Sequence, residues 1–186
     1  MAEKNRKRIK DLVLIAFFAA LIAVCSWISV PMPHGVPVTL QTFAIFAAAG
    51  ILGTKRSAFA VGVYIIMGAI GVPVFSGFEG GLGRLLGVTG GYIMGFLFSV
   101  ILTGIITKRA GKGFPALVIS MCAGLLVCYA FGAAWFMYVY TGSKGATTLG
   151  AILSVSVLPF IIPDIAKILL AASVVKAIDK TKIIPE

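Results

Sequence analysis

Residues 149–175 read LGAILSVSVLPFIIPDIAKILLAASVV, an apolar run that contains an acid, Asp164, and a base, Lys167. The run is long enough to cross a bilayer as a helix, which takes about 20 apolar residues. Residues three apart on a helix share a face, so the two charges point into a common space. A charge at membrane depth is costly and usually marks a functional or paired site inside a helix bundle. The run therefore predicts a spanning helix whose charges form a binding site or, alternatively, a salt bridge that only locks helices together.

The composition is that of a polytopic membrane protein. Of the 186 residues, 60% are hydrophobic and 12% are charged, which a soluble domain rarely shows. Most of the net charge of +10 lies in short clusters between apolar runs, so it indicates membrane topology and not nucleic-acid binding. Three scattered cysteines and one histidine offer neither metal-ligand spacing nor a catalytic triad. We therefore predict no metal, no cofactor and no enzyme activity.

Charge and hydropathy together predict the topology. The apolar runs cover residues 12–30, 38–52, 58–72, 92–106, 114–140 and 149–175. Basic clusters precede the first run and follow the second, fourth and sixth, whereas the alternate connections carry only Arg84 and Lys144. Because basic loops stay inside, we predict an all-α protein of the cell membrane with six transmembrane helices and both termini cytoplasmic. Residues 1–186 would form one integral membrane domain, with a basic N-terminus over 1–11 and a cytoplasmic tail over 176–186.

A glycine-rich stretch separates the third and fourth runs, PVFSGFEGGLGRLLGVTGGY over residues 73–92. Glycines such as Gly80 and Gly81 let the backbone approach a ligand and leave N–H groups free to donate. A flexible linker, the alternative, would carry polar filler where this stretch has large apolar residues. In the predicted topology the stretch lies outside, together with Gln41, and roofs a pocket at the outer half of the sixth helix. Arg84 adds a planar fork that suits a carboxylate, so we expect a small, partly hydrophobic ligand with an acidic end.

Small residues recur on the first helix, where Ala16, Ala19, Ala20 and Ala23 stand three and four positions apart. Such a stripe lets another helix approach closely, either from a partner protein or from within the same bundle. The chain has no G-x-x-x-x-G-K-[ST] phosphate-binding loop, so an ATP-driven mechanism would need partners. The alternative is a stand-alone proton-coupled permease that uses Asp164 and Lys167 as a relay.

Several motifs resemble the BioY family, the biotin-specific S components of energy-coupling factor (ECF) transporters. They are VPVTLQTF over residues 36–43, GAIGVPVF over 68–75, TGGY over 89–92, and Pro163-Asp164 with Lys167. The resemblance implies capture of biotin from outside and assembly with a transmembrane coupling subunit and a pair of cytoplasmic ATPases. It also implies that the alanine stripe of the first helix contacts the coupling subunit.

Biotin suits the pocket predicted from the residues, and with Tyr92 of the TGGY motif the predicted binding site comprises Asp164, Lys167, Arg84, Gln41, Gly80, Gly81 and Tyr92. The ureido ring of biotin would donate to Asp164 and accept from Lys167, and its carboxylate would meet Arg84 or backbone N–H groups. The chain departs from the family's glycine pattern at Glu79. An acid there would repel a carboxylate, which leaves the role of Glu79 open.

Overall fold

The computed structural model describes residues 2–32, 36–144 and 148–181. Its elements in chain order are α1 (Ala2–Trp27), β1 (Ser29–Val30), β2 (Val38–Thr39), α2 (Gln41–Ala69), α3 (Leu82–Leu86), α4 (Gly90–Ala110), α5 (Phe114–Lys144), α6 (Leu149–Ser156) and α7 (Leu158–Thr181). Five of these helices, α1, α2, α4, α5 and α7, are long and apolar enough to cross a membrane. The helical prediction is confirmed, apart from the two short antiparallel strands that join the end of α1 to the start of α2. His34 lies outside the described residues.

Helix α2 contains most of the second and third predicted runs and reverses direction between them. Gly53, with φ 74° and ψ 178°, interrupts the helical backbone in a conformation that residues with a side chain rarely adopt. The amide of Gln41 donates to the hydroxyl of Tyr64 at 2.6 Å, although 23 positions of straight helix would separate them by about 35 Å. The arms 41–52 and 54–69 therefore fold back on each other, and the predicted turn between the two runs is confirmed.

The unbroken hydropathy of the sixth run predicts a single helix. The structure has two helices there instead. Val157, with φ −129° and ψ −54°, ends α6, and α7 starts at the next residue. Pro159 then occupies the first turn of α7, where its missing N–H would have had no helical partner. The hydroxyl of Tyr92 donates to the carbonyl of Ser156 at 2.5 Å and satisfies a carbonyl at the break. The prediction that residues 149–175 form one spanning helix is therefore wrong at Val157.

The basic segments meet at one end of the bundle. Arg56, just after the reversal of α2, pairs with Asp11 of α1 at 2.9 Å. Lys112, between α4 and α5, pairs with Asp179 of α7 at 3.0 Å. Gly104 near the end of α4 packs against Thr54, which brings both pairs to the same end. The strands and the glycine-rich stretch lie at the opposite end.

Helix α4 lies at the centre, between α2 and α5, and glycine makes this packing possible. A side chain at Gly124 would collide with Ser99 and Thr103, and one at Gly132 would collide with the ring of Tyr92. Close helix approach of this kind depends on small residues at the contact. It fixes the wall to which Tyr92 belongs in a cavity of the bundle.

Candidate ligand-binding site

A cavity opens at the end of the bundle that carries the glycine-rich stretch. Its free space, together with the open solvent at its mouth, amounts to about 610 Å³. Its walls combine apolar and aromatic side chains with a few polar ones. The apolar group includes Val36, Phe75, Tyr92, Ile93, Phe96 and Phe160, and the polar group includes Thr39, Gln41, Thr42, Tyr64, Ser76, Arg84, Thr89, Tyr129, Asp164 and Lys167. Five predicted site residues thus meet here: Asp164, Lys167, Arg84, Gln41 and Tyr92.

Asp164 is the centre of a hydrogen-bonded cluster on the cavity wall. One of its carboxylate oxygens accepts from the ammonium of Lys167 at 2.7 Å and from the hydroxyl of Thr42 at 2.8 Å. The other oxygen accepts from the hydroxyl of Tyr129 at 2.6 Å. The carboxylate is thereby compensated although Asp164 is only 3% exposed, as a buried charge requires. Helical spacing predicted that Asp164 and Lys167 share one face, and this geometry is confirmed.

Two members of this cluster were not predicted as site residues. Thr42 lies at the start of α2 and Tyr129 in the middle of α5, 122 and 35 positions from Asp164. Tyr129 stands within a long apolar run, and no spacing rule relates it to Asp164. The sequence feature that could have predicted Thr42 as a site residue is the polar pair Gln41 and Thr42 at the start of α2.

Gln41 is held by two neighbours on the cavity wall. Its amide donates to Tyr64 at 2.6 Å, and its carbonyl oxygen accepts from Thr39 at 2.9 Å. The ring of Tyr64 meets Phe75 edge to face at 5.5 Å. The two arms of α2 and the glycine-rich stretch are therefore joined through one contact chain beside the cavity.

Arg84 stands at the mouth of the cavity. Its guanidinium pairs with Glu79 at 3.0 Å and donates to the hydroxyl of Ser76 at 3.3 Å. Arg84 and Ser76 also line a shallower outer groove, which Glu79 shares. Glu79 thus balances the charge of Arg84 from the outside and does not line the cavity itself.

The glycine-rich stretch is an ordered roof. Phe75 is 1% exposed, and its N–H donates to the carbonyl of Glu79 at 2.9 Å, so the prediction of a structured loop is confirmed. Gly80 and Gly81 are not among the described residues that line the cavity. The N–H of Gly81 donates to the carbonyl of Gly68 at 2.6 Å, and a side chain at Gly80 would collide with the backbone of residues 71 and 72. The expectation of a free N–H is therefore wrong at Gly81, because the loop uses that group to fold onto α2.

The end of α1 anchors this roof. The indole of Trp27 donates to the carbonyl of Pro73 at 2.9 Å, and Ser26 donates to the carbonyl of Val74 at 2.5 Å. Trp27 also stacks on Phe78 with ring centroids 5.0 Å apart. Phe78 has a positive φ of 58°, which is costly for a residue with a large side chain. These contacts hold the roof in place over the cavity.

Burial divides the four alanines of α1. Ala19 and Ala23 are 1% and 5% exposed and belong to the main hydrophobic core. Ala16 and Ala20 are exposed. The alternative of packing within the bundle therefore holds for Ala19 and Ala23, and only Ala16 and Ala20 present a free small-residue surface.

A bundle of apolar helices around a mostly apolar cavity, with paired charges in its wall, defines an integral membrane protein with a small-molecule site. Residues 1–183 match the BioY family, and the chain belongs to this family. It is 35% identical to the "Biotin transporter BioY" of Thermotoga maritima, over 94% of this chain and 98% of the relative. It is 40% identical to the "Probable biotin transporter BioY" of Pyrococcus horikoshii, over 85% and 89%.

A solved structure has the same fold. The crystal structure of the S component for biotin from an ECF-type ABC transporter matches with a TM-score of 0.84 and 28% identity. The match covers 95% of this chain and 94% of that one. The family is one of transporters, so the chain is a multi-pass membrane protein and not an enzyme.

Proposed function

We propose that this chain is the substrate-binding S component of an ECF-type transporter and that it captures biotin from outside the cell. The observation that carries the proposal is the cavity. Asp164, Lys167 and Arg84 line it together with aromatic side chains, and the chain is a member of the BioY family. Its curated relatives are named biotin transporters, and the S component that shares its fold is one for biotin. Biotin is the transported ligand, and no cofactor is required.

The chemistry of biotin fits the two polar groups of the cavity. Its ureido ring offers two N–H donors and one carbonyl, which Asp164 and Lys167 complement. Lys167 has three N–H donors, so it can keep its bond to Asp164 and still donate to the ring. The carboxylate goes to Arg84 at the mouth, since a guanidinium fork suits it. Gln41 and Tyr92 position the walls, and Gly80 and Gly81 shape the roof through its backbone.

The topology we propose has six membrane crossings and cytoplasmic termini. The reversal at Gly53 supports the count, because each arm of α2 then makes its own passage. Basic clusters at one end of the bundle support the orientation under the positive-inside rule. The cavity then opens outside, in a single integral membrane domain with cytoplasmic segments at both ends of the chain.

The direct test is calorimetric titration of the purified chain with biotin in detergent. We expect saturable binding by the chain alone, with one biotin per chain. Absence of binding would contradict the proposal. Uptake into vesicles should require a coupling subunit, its ATPase pair and ATP. Uptake by this chain alone that stops when the proton gradient is removed would instead support the permease alternative.

The proposed partners are a transmembrane coupling subunit and a pair of cytoplasmic ATPases. We assign the docking surface to Ala16 and Ala20, since these exposed small residues allow a partner helix close approach. Ala20→Trp should abolish co-purification with the coupling subunit while biotin affinity stays unchanged. Ala23→Trp is the matched control. It inserts a large ring into the core, so it should lower the unfolding temperature of the isolated chain.

A further inference from the structure

Three buried hydroxyls have no hydrogen-bond partner within the described part of the chain: those of Thr89, Ser99 and Ser156. A buried hydroxyl without a partner is destabilising and calls for an explanation. Thr89 differs from the other two because it lines the cavity. It is only 7% exposed, so bulk solvent does not satisfy its hydroxyl.

The position of Thr89 makes the missing partner more informative. Thr89 is the N-cap of α4, where a threonine hydroxyl normally accepts from a backbone N–H of the first turn. Thr89 makes no such bond. Thr148, the N-cap of α6, makes this kind of bond, because its hydroxyl accepts from the N–H of Ala151 at 3.4 Å. The hydroxyl of Thr89 therefore serves neither its own helix nor a neighbouring side chain.

The neighbourhood of Thr89 indicates which part of a ligand it meets. Helix α3, which carries Arg84, ends at Leu86, and the start of α4 packs against the carbonyl of Leu85 so tightly that Gly90 has no room for a side chain. Thr89 and Arg84 are thus five positions apart on two abutting helices and line the same cavity. The Asp164 cluster, by contrast, is assembled from α2, α5 and α7.

We infer that Thr89 is a further ligand-binding residue, whose hydroxyl donates a hydrogen bond to the carboxylate of biotin beside Arg84. This inference rests on the proposed function. The O–H of a threonine rotates to suit its partner, so it can donate to one carboxylate oxygen while the guanidinium of Arg84 donates as well. Binding would give a partner to a hydroxyl that no described residue hydrogen-bonds, which adds to affinity without breaking a bond within the described part of the chain.

The test replaces Thr89 by valine, which has a similar shape and no hydroxyl, and titrates biotin into the purified full chain. We expect the dissociation constant to rise about tenfold to a hundredfold, the range for a lost bond to a charged group. The unfolding temperature without ligand should stay the same or rise, since a buried unpaired hydroxyl has been removed. Thr89→Ser keeps the hydroxyl and should bind within about threefold of the wild type.

Ser99→Ala is the matched control, since it removes an equally unpaired buried hydroxyl that does not line the cavity. Its affinity should equal that of the wild type. Biotin methyl ester, which lacks the carboxylate charge, tests the assignment to that end. The loss caused by Thr89→Val should be smaller for the ester than for biotin.

The outcomes separate this inference from the proposed function. If the wild type binds biotin and Thr89→Val binds it equally well, the inference is wrong and the proposed function stands. An equal loss for biotin and its ester would overturn the carboxylate assignment. Should Thr89→Val not fold, wild-type affinity in Thr89→Ala would overturn the inference. No biotin binding by the wild type would contradict the proposed function itself.

Discussion

Two ion pairs, one in the cavity wall and one at its mouth, differ in their surroundings. The side chains of Asp164 and Lys167 are 4% and 11% exposed and lie within one helix. Those of Glu79 and Arg84 are 53% and 25% exposed and belong to the roof. Among the described residues, the inner carboxylate accepts three hydrogen bonds, whereas the outer pair adds one bond from Arg84 to Ser76.

The inner pair is expected to stabilise the fold, whereas the outer pair can exchange its internal partner for a ligand. Removing one member of a buried pair leaves a charge that the apolar surroundings cannot solvate. An exposed pair contributes little to stability, because water replaces the lost partner. We expect changes at the inner pair to affect stability and affinity together, and changes at the outer pair to affect affinity alone.

The largest effect should come from Asp164→Asn, which keeps the shape of the side chain and removes its charge. Lys167 is then left buried without its acid, a loss worth about 3–5 kcal/mol of stability in comparable cases. We expect at least about a hundredfold weaker biotin binding by calorimetry and a lower unfolding temperature. The double variant Asp164→Asn/Lys167→Met removes both charges and should recover stability without recovering binding. Wild-type affinity in Asp164→Asn would contradict the proposed site.

An intermediate effect is expected for Arg84→Met, which keeps the apolar stem and removes the guanidinium. Biotin affinity should fall about tenfold, as expected for a lost charge-assisted bond at a partly exposed site. The free energy of unfolding should change by less than about 1 kcal/mol, since water can replace a partner in the partly exposed pair with Glu79. Titration and thermal unfolding of the same preparation measure both. A large loss of stability would show that the two pairs are equivalent.

A smaller effect should follow from Trp27→Ala, which frees the roof from α1. The roof carries Phe75, Ser76 and Arg84, so its release should speed dissociation of biotin several-fold, as measured by competition in stopped flow. Trp27→Phe retains a ring to stack on Phe78 and loses the bond to Pro73. It should give an intermediate rate. An unchanged rate in both variants would show that α1 does not hold the roof.

The smallest effect is expected for Glu79→Gln. Glu79 competes with the ligand carboxylate for Arg84. When the ligand binds, the carboxylate of Glu79 leaves Arg84 and is solvated by water. We expect biotin to bind up to about threefold more tightly, because an exposed ion pair is worth only about 0–1 kcal/mol. Weaker binding, measured by calorimetry against Glu79→Asp as the control, would instead show that Glu79 orients Arg84 productively.

The sequence alone predicted the membrane class, most helices and the common face of Asp164 and Lys167. Hydropathy and helical spacing are local properties, so they can be counted along the chain. The break at Val157 was missed because apolar composition continues through it. The pairing of Glu79 with Arg84 was missed because loop spacing, unlike helical spacing, does not fix which side chains meet.

What only the tertiary structure decided is the set of partners around each predicted residue. Tyr129 and Thr42 reach Asp164 from α5 and α2, and Trp27 of α1 reaches the roof, because three-dimensional packing brings distant segments together. The alanines of α1 share one spacing pattern, yet packing buried Ala19 and Ala23 and left Ala16 and Ala20 exposed. Sequence determined which residues form helices and carry charge, since these depend on neighbours along the chain. Burial and hydrogen-bond partners depend on neighbours across the bundle, and they required the fold.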